Sequence, residues 1–319
     1  MAVKVGMVSL GCPKNQMDAE LMLAKLEQAG FEITAESGLA QVVIVNTCGF
    51  IADAKQESIE NILEFAQLKK EKQIQKIIVT GCLAQRYQQE LADEIPECDG
   101  VIGLGANDDI VEVVTRVLAG ETVREFPSRD SWCLDGDRLQ TTPHFFAYLR
   151  IADGCNNRCT YCLIPFARGP ERSMPFDLAV EEAQKLQVEG YREIVLTGIE
   201  ISAYGRDLPG RPDLISLIEA LCKAAPGCRI RLGSLEPRTV TEEFARRCAA
   251  LPNLCPHFHL SLQSGCDKTL QNMNRHYSAA EYKRACDLLR QYMPLCGLTT
   301  DLIVGFPGET EEDFAESLD

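Results

Sequence analysis

No stretch of this 319-residue sequence approaches the roughly 20 consecutive apolar residues that a helical membrane span requires. No membrane association is therefore expected. Basic residues are scarce: 32 Lys and Arg stand against 47 Asp and Glu, a net charge of −15. Phosphate contact is carried by Lys and Arg, so this balance sits poorly with RNA unless a basic patch is local or a basic module is missing. No secretory leader is expected either, because strand-like Val3-Lys4-Val5-Gly6-Met7-Val8 begins at once. Without one, the fifteen cysteines do not read as a disulfide framework. In a reducing cytoplasm, the expected location, they are candidates for metal or redox duty. Cys222, Cys248 and Cys286 fall on helix-like segments and read as small hydrophobes.

What is present is an α/β rhythm long enough for about two domains. In the first domain, residues 1–118, apolar runs at Val3–Val8, Val42–Val45, Ile77–Val79 and Val101–Ile102 alternate with helical patterns. Asp18 is expected to cap the first helix, which Gly30 ends, and Asp53 opens the second. A short helix is expected over Tyr87–Ile95 and another over Asp108–Leu118. Near-continuous apolar strands mean a parallel sheet covered on both faces. Cys12, Cys48 and Cys82 follow the first three strands, so all three leave the carboxyl end of the sheet, where open α/β sheets build their sites. Gly11, Gly49 and Gly81 beside them let backbone approach a ligand closely. Three unrelated buried thiols are the plainer alternative. Residues 119–143, with Gly120, Pro127, Ser128 and Gly136, read as a linker.

From residue 144 to 319 the rhythm resumes. Strands are expected at Phe146–Ile151, Glu193–Thr197, Arg229–Gly233, His257–Leu262 and Leu298–Val304. Helices are expected at Asp177–Glu189, Pro212–Ala224, Thr241–Ala250 and Ala279–Gln291, and from about Thr310, with Asp177 and Thr241 as caps. Together they make a partial (βα)6 barrel whose site lies at the carboxyl ends of the strands. Directly after the first strand comes Asp153-Gly154-Cys155-Asn156-Asn157-Arg158-Cys159-Thr160-Tyr161-Cys162. Three thiolates at C-x3-C-x2-C spacing hold three irons of a cubane and leave the fourth open, unlike a structural site that closes all four positions. Asn156, Asn157 and Arg158 offer donors to damp charge on the sulfurs. The other strand ends carry Leu196–Glu200, Gly233–Pro237, Ser261–Gly265 and Val304–Glu309. Arg168, in Pro165–Gly169, is either functional or one half of a surface salt bridge.

The cysteine loop resembles the signature of radical S-adenosylmethionine enzymes. Ser9–Asn15, Asn46–Ile51 and Thr80–Arg86 resemble the three cysteine motifs of the methylthiotransferase N-terminal domain, so the whole chain resembles radical methylthiotransferases. The resemblance implies two 4Fe-4S clusters, one on Cys155, Cys159 and Cys162 and one on Cys12, Cys48 and Cys82. It further implies S-adenosylmethionine contacts at Thr197, Gly198, Glu200, Ser234, Glu236, Gln263, Gly305 and Pro307. The first cluster would cleave S-adenosylmethionine to a 5′-deoxyadenosyl radical, and the second would carry the sulfur to be methylated. Cofactors of this kind do the hard chemistry while protein binds and aims them, so no Ser/His/Asp constellation is expected. An electron donor such as flavodoxin or ferredoxin is implied.

The branches of the family divide the chain. Motifs before residue 145 look most like the branch acting on an aspartate of a small-subunit ribosomal protein. Pro165–Ser173, Ile194–Leu208, Ile230–Pro237 and Gln263–Arg275 look most like the branch acting on threonylcarbamoyladenosine in tRNA. The expectation is therefore a tRNA methylthiotransferase acting at C2 of that adenosine beside the anticodon. The alternatives are the ribosomal-protein activity and a non-catalytic iron–sulfur scaffold. Met174 stands where an arginine is common. The basic RNA-gripping β-barrel that usually follows is expected to be absent, the chain ending at Asp319 inside the helix after the last strand.

Overall fold

A computed structural model describes residues 2–128, 134 and 136–318. Residues 129–133 and 135, part of the expected linker, and Asp319, the expected stopping point, lie outside the described residues. The chain forms two compact units. The first takes Met1–Thr141 and Leu163–Pro170, and the second takes Thr142–Cys162 and Glu171–Asp319.

In the first unit the strands are β1 (Lys4–Ser9), β2 (Glu32–Thr34), β3 (Val42–Thr47), β4 (Lys76–Gly81), β5 (Gly100–Ile102) and β6 (Val123–Glu125). They form one sheet in the order β2-β1-β3-β4-β5-β6, parallel throughout. Its helices are α1 (Pro13–Gln28), α2 (Ala52–Lys70), α3 (Cys82–Glu94), α4 (Ile110–Leu118) and, from much later in the chain, α5 (Ile164–Arg168). β3 is buried along its whole length, and its side chains alternate between two cores as the strand period of two requires. Val43 and Val45 pack with Ile62, Phe65 and Leu83 on one face. Val42 and Ile44 pack with Met22, Leu26 and Val113 on the other.

The sheet order reverses direction between β1 and β3, and that switch point is where a doubly wound sheet opens a crevice at its carboxyl edge. Two short strands, β2 and β6, extend the four expected, and β6 falls inside the stretch read as linker. The first helix also starts earlier than expected. Pro13 occupies its first turn and Cys12 is its N-cap residue, because proline's fixed φ suits that position. Asp18 is therefore not a cap; it lies buried inside α1.

In the second unit the wall is built from β7 (Phe146–Arg150), β10 (Glu193–Thr197), β11 (Arg229–Leu232), β12 (Ser234–Leu235), β13 (His257–Leu260) and β14 (Gly297–Thr299), with a small antiparallel pair, β8 (Ala152–Asp153) and β9 (Arg172–Ser173), beside it. Pairing follows chain order, β7-β10-β11 and β12-β13-β14, all parallel, and Gly233 alone separates β11 from β12. Sequential parallel neighbours joined through helices make a curved barrel wall rather than a doubly wound sheet. The helices are α6 (Phe176–Val188), α7 (Leu214–Ala224), α8 (Glu242–Ala249), α9 (Asp267–Asn272), α10 (Ala279–Tyr292) and α11 (Glu311–Leu318). Ala147, Leu149, Ile194, Leu196, Ile230, Leu232, Phe258 and Leu260 are buried at alternate strand positions. This is the pattern of a face covered by helices.

Thr241 caps α8 as expected, accepting from the Phe244 N–H at 3.1 Å. Asp177 does not cap α6, because Pro175 takes that position. Ser278 and Glu281 form a reciprocal capping box on α10. The fourth and fifth strands end sooner than expected, at Leu260 and Thr299. Gln263 turns the chain through a left-handed φ of 69°, leaving only an isolated bridge to Leu302. Among the described residues no helix is long and apolar enough to cross a membrane.

Candidate functional site

The first unit gathers its three cysteines at the carboxyl edge flanking the switch point. Cys12 caps α1, Cys48 directly follows β3, and Cys82 opens α3. Small residues allow the approach: a Cβ on Gly11 would lie 2.8 Å from the Cys48 Sγ. A Cβ on Gly81 would overlap the backbone of Thr47. Ser58 pins the Cys48 peptide from both sides, accepting from its N–H at 3.0 Å and donating to its carbonyl at 3.1 Å.

Burial pushes the Cys48 thiol up, and the neighbouring Cys12 sulfur adds to it. Burial pushes Cys82 up to about 11, against the pull of the Arg168 charge. Both thiols carry protons at neutral pH, and a metal would have to displace them.

Arg168 corrects an expectation. It forms no surface salt bridge: it is fully buried, with Nη2 at 2.7 Å from Asp18 Oδ2 and 2.6 Å from Asn15 Oδ1. Its charge pulls against the burial that raises Cys82. Sequence reasoning missed Asn15 and Asp18 as parts of this site.

In the second unit a chain of contacts links the strand ends around the C-x3-C-x2-C loop. The Asn157 N–H donates to Cys155 Sγ at 3.4 Å, while its side-chain amide donates to Glu200 Oε2 at 3.3 Å. Glu200 Oε1 accepts from the Ser202 N–H at 3.1 Å, and Ser202 Oγ accepts from the Glu236 N–H at 2.8 Å. Glu236 Oε1 lies 4.0 Å from Arg275 Nη2, whose other terminal nitrogen donates to Cys159 Sγ at 3.2 Å. The guanidinium stacks over the Tyr277 ring at 4.8 Å, and Tyr277 in turn donates to the Ser261 and Leu262 carbonyls. Tyr161, between two of the cysteines, meets Phe306 edge-on at 6.4 Å.

Of the expected cofactor contacts, Glu200 and Glu236 are central to this chain. Gly305 and Pro307 flank Phe306, with the Gly305 N–H held by Glu309 at 2.6 Å. Gly198 has no room for a side chain, since a Cβ there would lie 2.7 Å from the Ala152 carbonyl. Thr197 is buried, its carbonyl held by the Ile151 N–H at 3.0 Å. Gln263 is fixed through its backbone to Asp301 and Ile303. Ser234 lies exposed on β12, outside the chain of contacts.

The expected charge-damping donors are redistributed. The Asn156 side chain accepts from the Glu171 N–H, the Arg158 carbonyl accepts from Asn274, and Arg275 supplies the side-chain donor to sulfur. Met174, at the position where an arginine is common, is buried, and its carbonyl accepts from Tyr204.

Two features define what this site suits. Burial and the nearby Glu236 charge push the Glu200 carboxyl up, so the two carboxylates favour a cationic visitor. Burial, then Glu200 and the other two cysteines, push the Cys155 thiol up to about 12 despite the Asn157 N–H. Among the described residues no three His, Cys, Asp or Glu side chains gather on a single metal ion. Each thiol triad instead offers three soft ligands at a strand-end crevice, a donor set that fits an iron–sulfur cluster with one iron left open.

Residues 149–319 match the radical SAM superfamily, and residues 4–103 match a family described as uncharacterized protein family UPF0004. The chain is 43% identical to the ribosomal protein uS12 methylthiotransferase RimO of Citrifermentans bemidjiense, over 99% of this chain and 71% of that protein. It is 43% identical to the enzyme of the same name from Geobacter sulfurreducens, over 98% and 70%. The fold matches the radical S-adenosylmethionine methyltransferase TsrM of Kitasatospora setae with a TM-score of 0.70 at 18% identity, covering 100% of this chain and 70% of that one. The chain belongs to the radical SAM superfamily. Within it the chain is a methylthiotransferase, an enzyme of 4Fe-4S and S-adenosylmethionine chemistry.

The expectation of a tRNA enzyme is overturned here, and with it the assignment to tRNA modification and processing. The relatives aligned across both halves, including everything after residue 145, bear the name of ribosomal-protein enzymes. Of the motifs that suggested tRNA, Ile194–Leu208, Ile230–Pro237 and Gln263–Arg275 fall at barrel strand ends, and Pro165–Ser173 spans α5 and β9.

Proposed function

We propose that this chain transfers a methylthio group to an aspartate of small-subunit ribosomal protein uS12. The observation that carries the reading is 43% identity to uS12 methylthiotransferases along 99% of the chain. The acidic balance, −15 overall, supports it. A protein that lives against ribosomal RNA carries cationic contacts, and an acidic enzyme attracts such a partner while repelling free RNA.

Cys155, Cys159 and Cys162 would hold one 4Fe-4S cluster, and Cys12, Cys48 and Cys82 a second. When bound, the clusters and S-adenosylmethionine supply the one-electron chemistry that breaks an unactivated C–H bond and the sulfur that replaces the hydrogen. The protein's part is to position and to balance charge. Glu200 and Glu236 offer a carboxylate pair to the methionyl ammonium group, which relieves the repulsion that raises Glu200. Arg275 places a fixed cation against Cys159. Gly198 lets its strand end pack against the Ala152 carbonyl, and Gly305 leaves open space at its own strand end for backbone contact. An electron donor of the flavodoxin or ferredoxin type would serve the radical cluster.

The test is to incubate reconstituted protein with S-adenosylmethionine, reductant and either uS12 or tRNA, followed by mass spectrometry. A methylthio group on a uS12 aspartate is expected. Modification of tRNA with uS12 untouched would refute the reading.

A further inference from the structure

The three cysteine loops of the first unit are joined at one side chain, Asn15. It sits in the first turn of α1, almost fully buried. Its Nδ2 donates at 2.9 Å to the carbonyl of Leu10, two residues before Cys12, and at 2.9 Å to the carbonyl of Thr47, the peptide that leads into Cys48. Its Oδ1 accepts from the Cys82 thiol at 3.6 Å and from Arg168 Nη2 at 2.6 Å. The orientation of the amide follows from its partners. Two carbonyls demand the NH2 end and a guanidinium demands the oxygen, so a flipped amide would face like against like at three contacts. One amide thus fastens the loops after β1, β3 and β4 together.

Arg168 completes the arrangement. Its charge is balanced by Asp18 at 2.7 Å, and its Nη2 and the Cys82 thiol meet the same Asn15 oxygen, at 2.6 Å and 3.6 Å. Bound to iron, Cys82 would present an acceptor sulfur on the side of Asn15 where the Arg168 guanidinium lies.

We propose that Asn15 and Arg168 are positioning residues for the first-unit cluster. Asn15 sets the spacing of the three thiols, and Arg168 supplies a fixed cation to the cluster through Cys82. The inference rests on the two-cluster reading given above. A cation beside a negatively charged cluster favours the added electron, so Arg168 holds the cluster's reduction potential up.

The experiment uses the full chain carrying Cys155→Ala, Cys159→Ala and Cys162→Ala, so that the first-unit cluster is measured alone by iron content and by redox titration followed by electron paramagnetic resonance. Asn15→Leu is expected to lower iron occupancy severalfold. Arg168→Met is expected to shift the midpoint potential downward, and Arg168→Lys, which keeps the charge and loses the planar fork, to restore much of it. Because Arg168→Met strands the buried Asp18 charge, the double variant Asp18→Asn with Arg168→Met is measured beside it; losing the Asp18 negative charge offsets part of the effect, so a smaller downward shift is expected in a protein with no unpaired charge. Unaltered iron occupancy in Asn15→Leu, or an unaltered potential in the double variant, would overturn the assignment of that residue. No cluster in the triple-alanine parent would instead overturn the two-cluster reading and this inference with it.

Discussion

Gly81 lies where the first unit's three-cysteine edge is most tightly packed, and Gly81→Ala measures how much that packing matters. Gly81 ends β4 at φ 98° and ψ −170°, a region held almost only by glycine, and an alanine there costs about 1–3 kcal/mol. The added Cβ would also overlap the Thr47 peptide. Thr47 cannot retreat easily, because it pairs with Gly81 at the end of the β3–β4 ladder. Relieving such an overlap by shifting backbone costs about 1–3 kcal/mol more. The total of about 2–6 kcal/mol is a large share of the roughly 5–15 kcal/mol that holds a domain folded.

Gly120→Ala is the internal control. Gly120 has a φ of 95° and open space around it, so its alanine pays for backbone alone, about 1–2 kcal/mol. Urea unfolding of the apo proteins, followed through the first unit's transition, compares the two, and iron content after reconstitution reports the site. Gly81→Ala is expected to be the more costly and to lose the first-unit cluster, while Gly120→Ala keeps it. Equal destabilisation by the two alanines would show that the strand end yields freely, and the overlap argument would fail.

Cys155→Ala, Cys159→Ala or Cys162→Ala is expected to remove about half the iron of two cubane clusters and to abolish 5′-deoxyadenosine formation, as read by chromatography. Changing Cys12, Cys48 and Cys82 together is expected to leave S-adenosylmethionine cleavage and end methylthiolation. Arg275→Lys removes the guanidinium stacked on Tyr277 and bonded to Cys159, and is expected to slow S-adenosylmethionine cleavage about 10–100-fold, measured in single-turnover assays.

Acid is expected to loosen α11. The Lys268 hydrogen bond, then the Thr310 N–H, hold the Asp313 carboxyl down to about 2. A depressed carboxylate stabilises the fold above its unfolded value, about 3.9, and that contribution is lost as pH falls through about 2. Hydrogen exchange over Glu311–Leu318 should accelerate, beyond its intrinsic pH dependence, between pH 5 and pH 2. Lys268→Ala should remove most of the difference.

The sequence made Cys12, Cys48 and Cys82 legible because each follows an apolar strand and is flanked by glycine, a pattern that survives without any tertiary knowledge. The edge strands β2 and β6 were not legible: three residues each, only partly apolar, they are stabilised by pairing and not by pattern. Asp18 looked like a cap because an acidic residue ahead of a leucine run usually is one, and proline at the first turn decided otherwise. Arg168 could not be read as buried, since its partner Asp18 lies 150 residues away along the chain. Only folding brings such charges into mutual reach. Substrate was the least legible of all, for the motifs that pointed to tRNA stand in a chain whose relatives are named for a ribosomal protein.

The segment Leu163–Pro170 belongs to the first unit although the chain on both sides of it belongs to the second. The two units are therefore not beads on a string that a single cut would release. A fragment ending at Thr141 would carry a buried Asp18 without its counter-ion, and a fragment beginning at Thr142 would carry a helix that had lost its neighbours. For the same reason recombination cannot exchange the N-terminal module at one crossover. Any new partner for the barrel has to accommodate eight residues that lie within the barrel's own stretch of sequence.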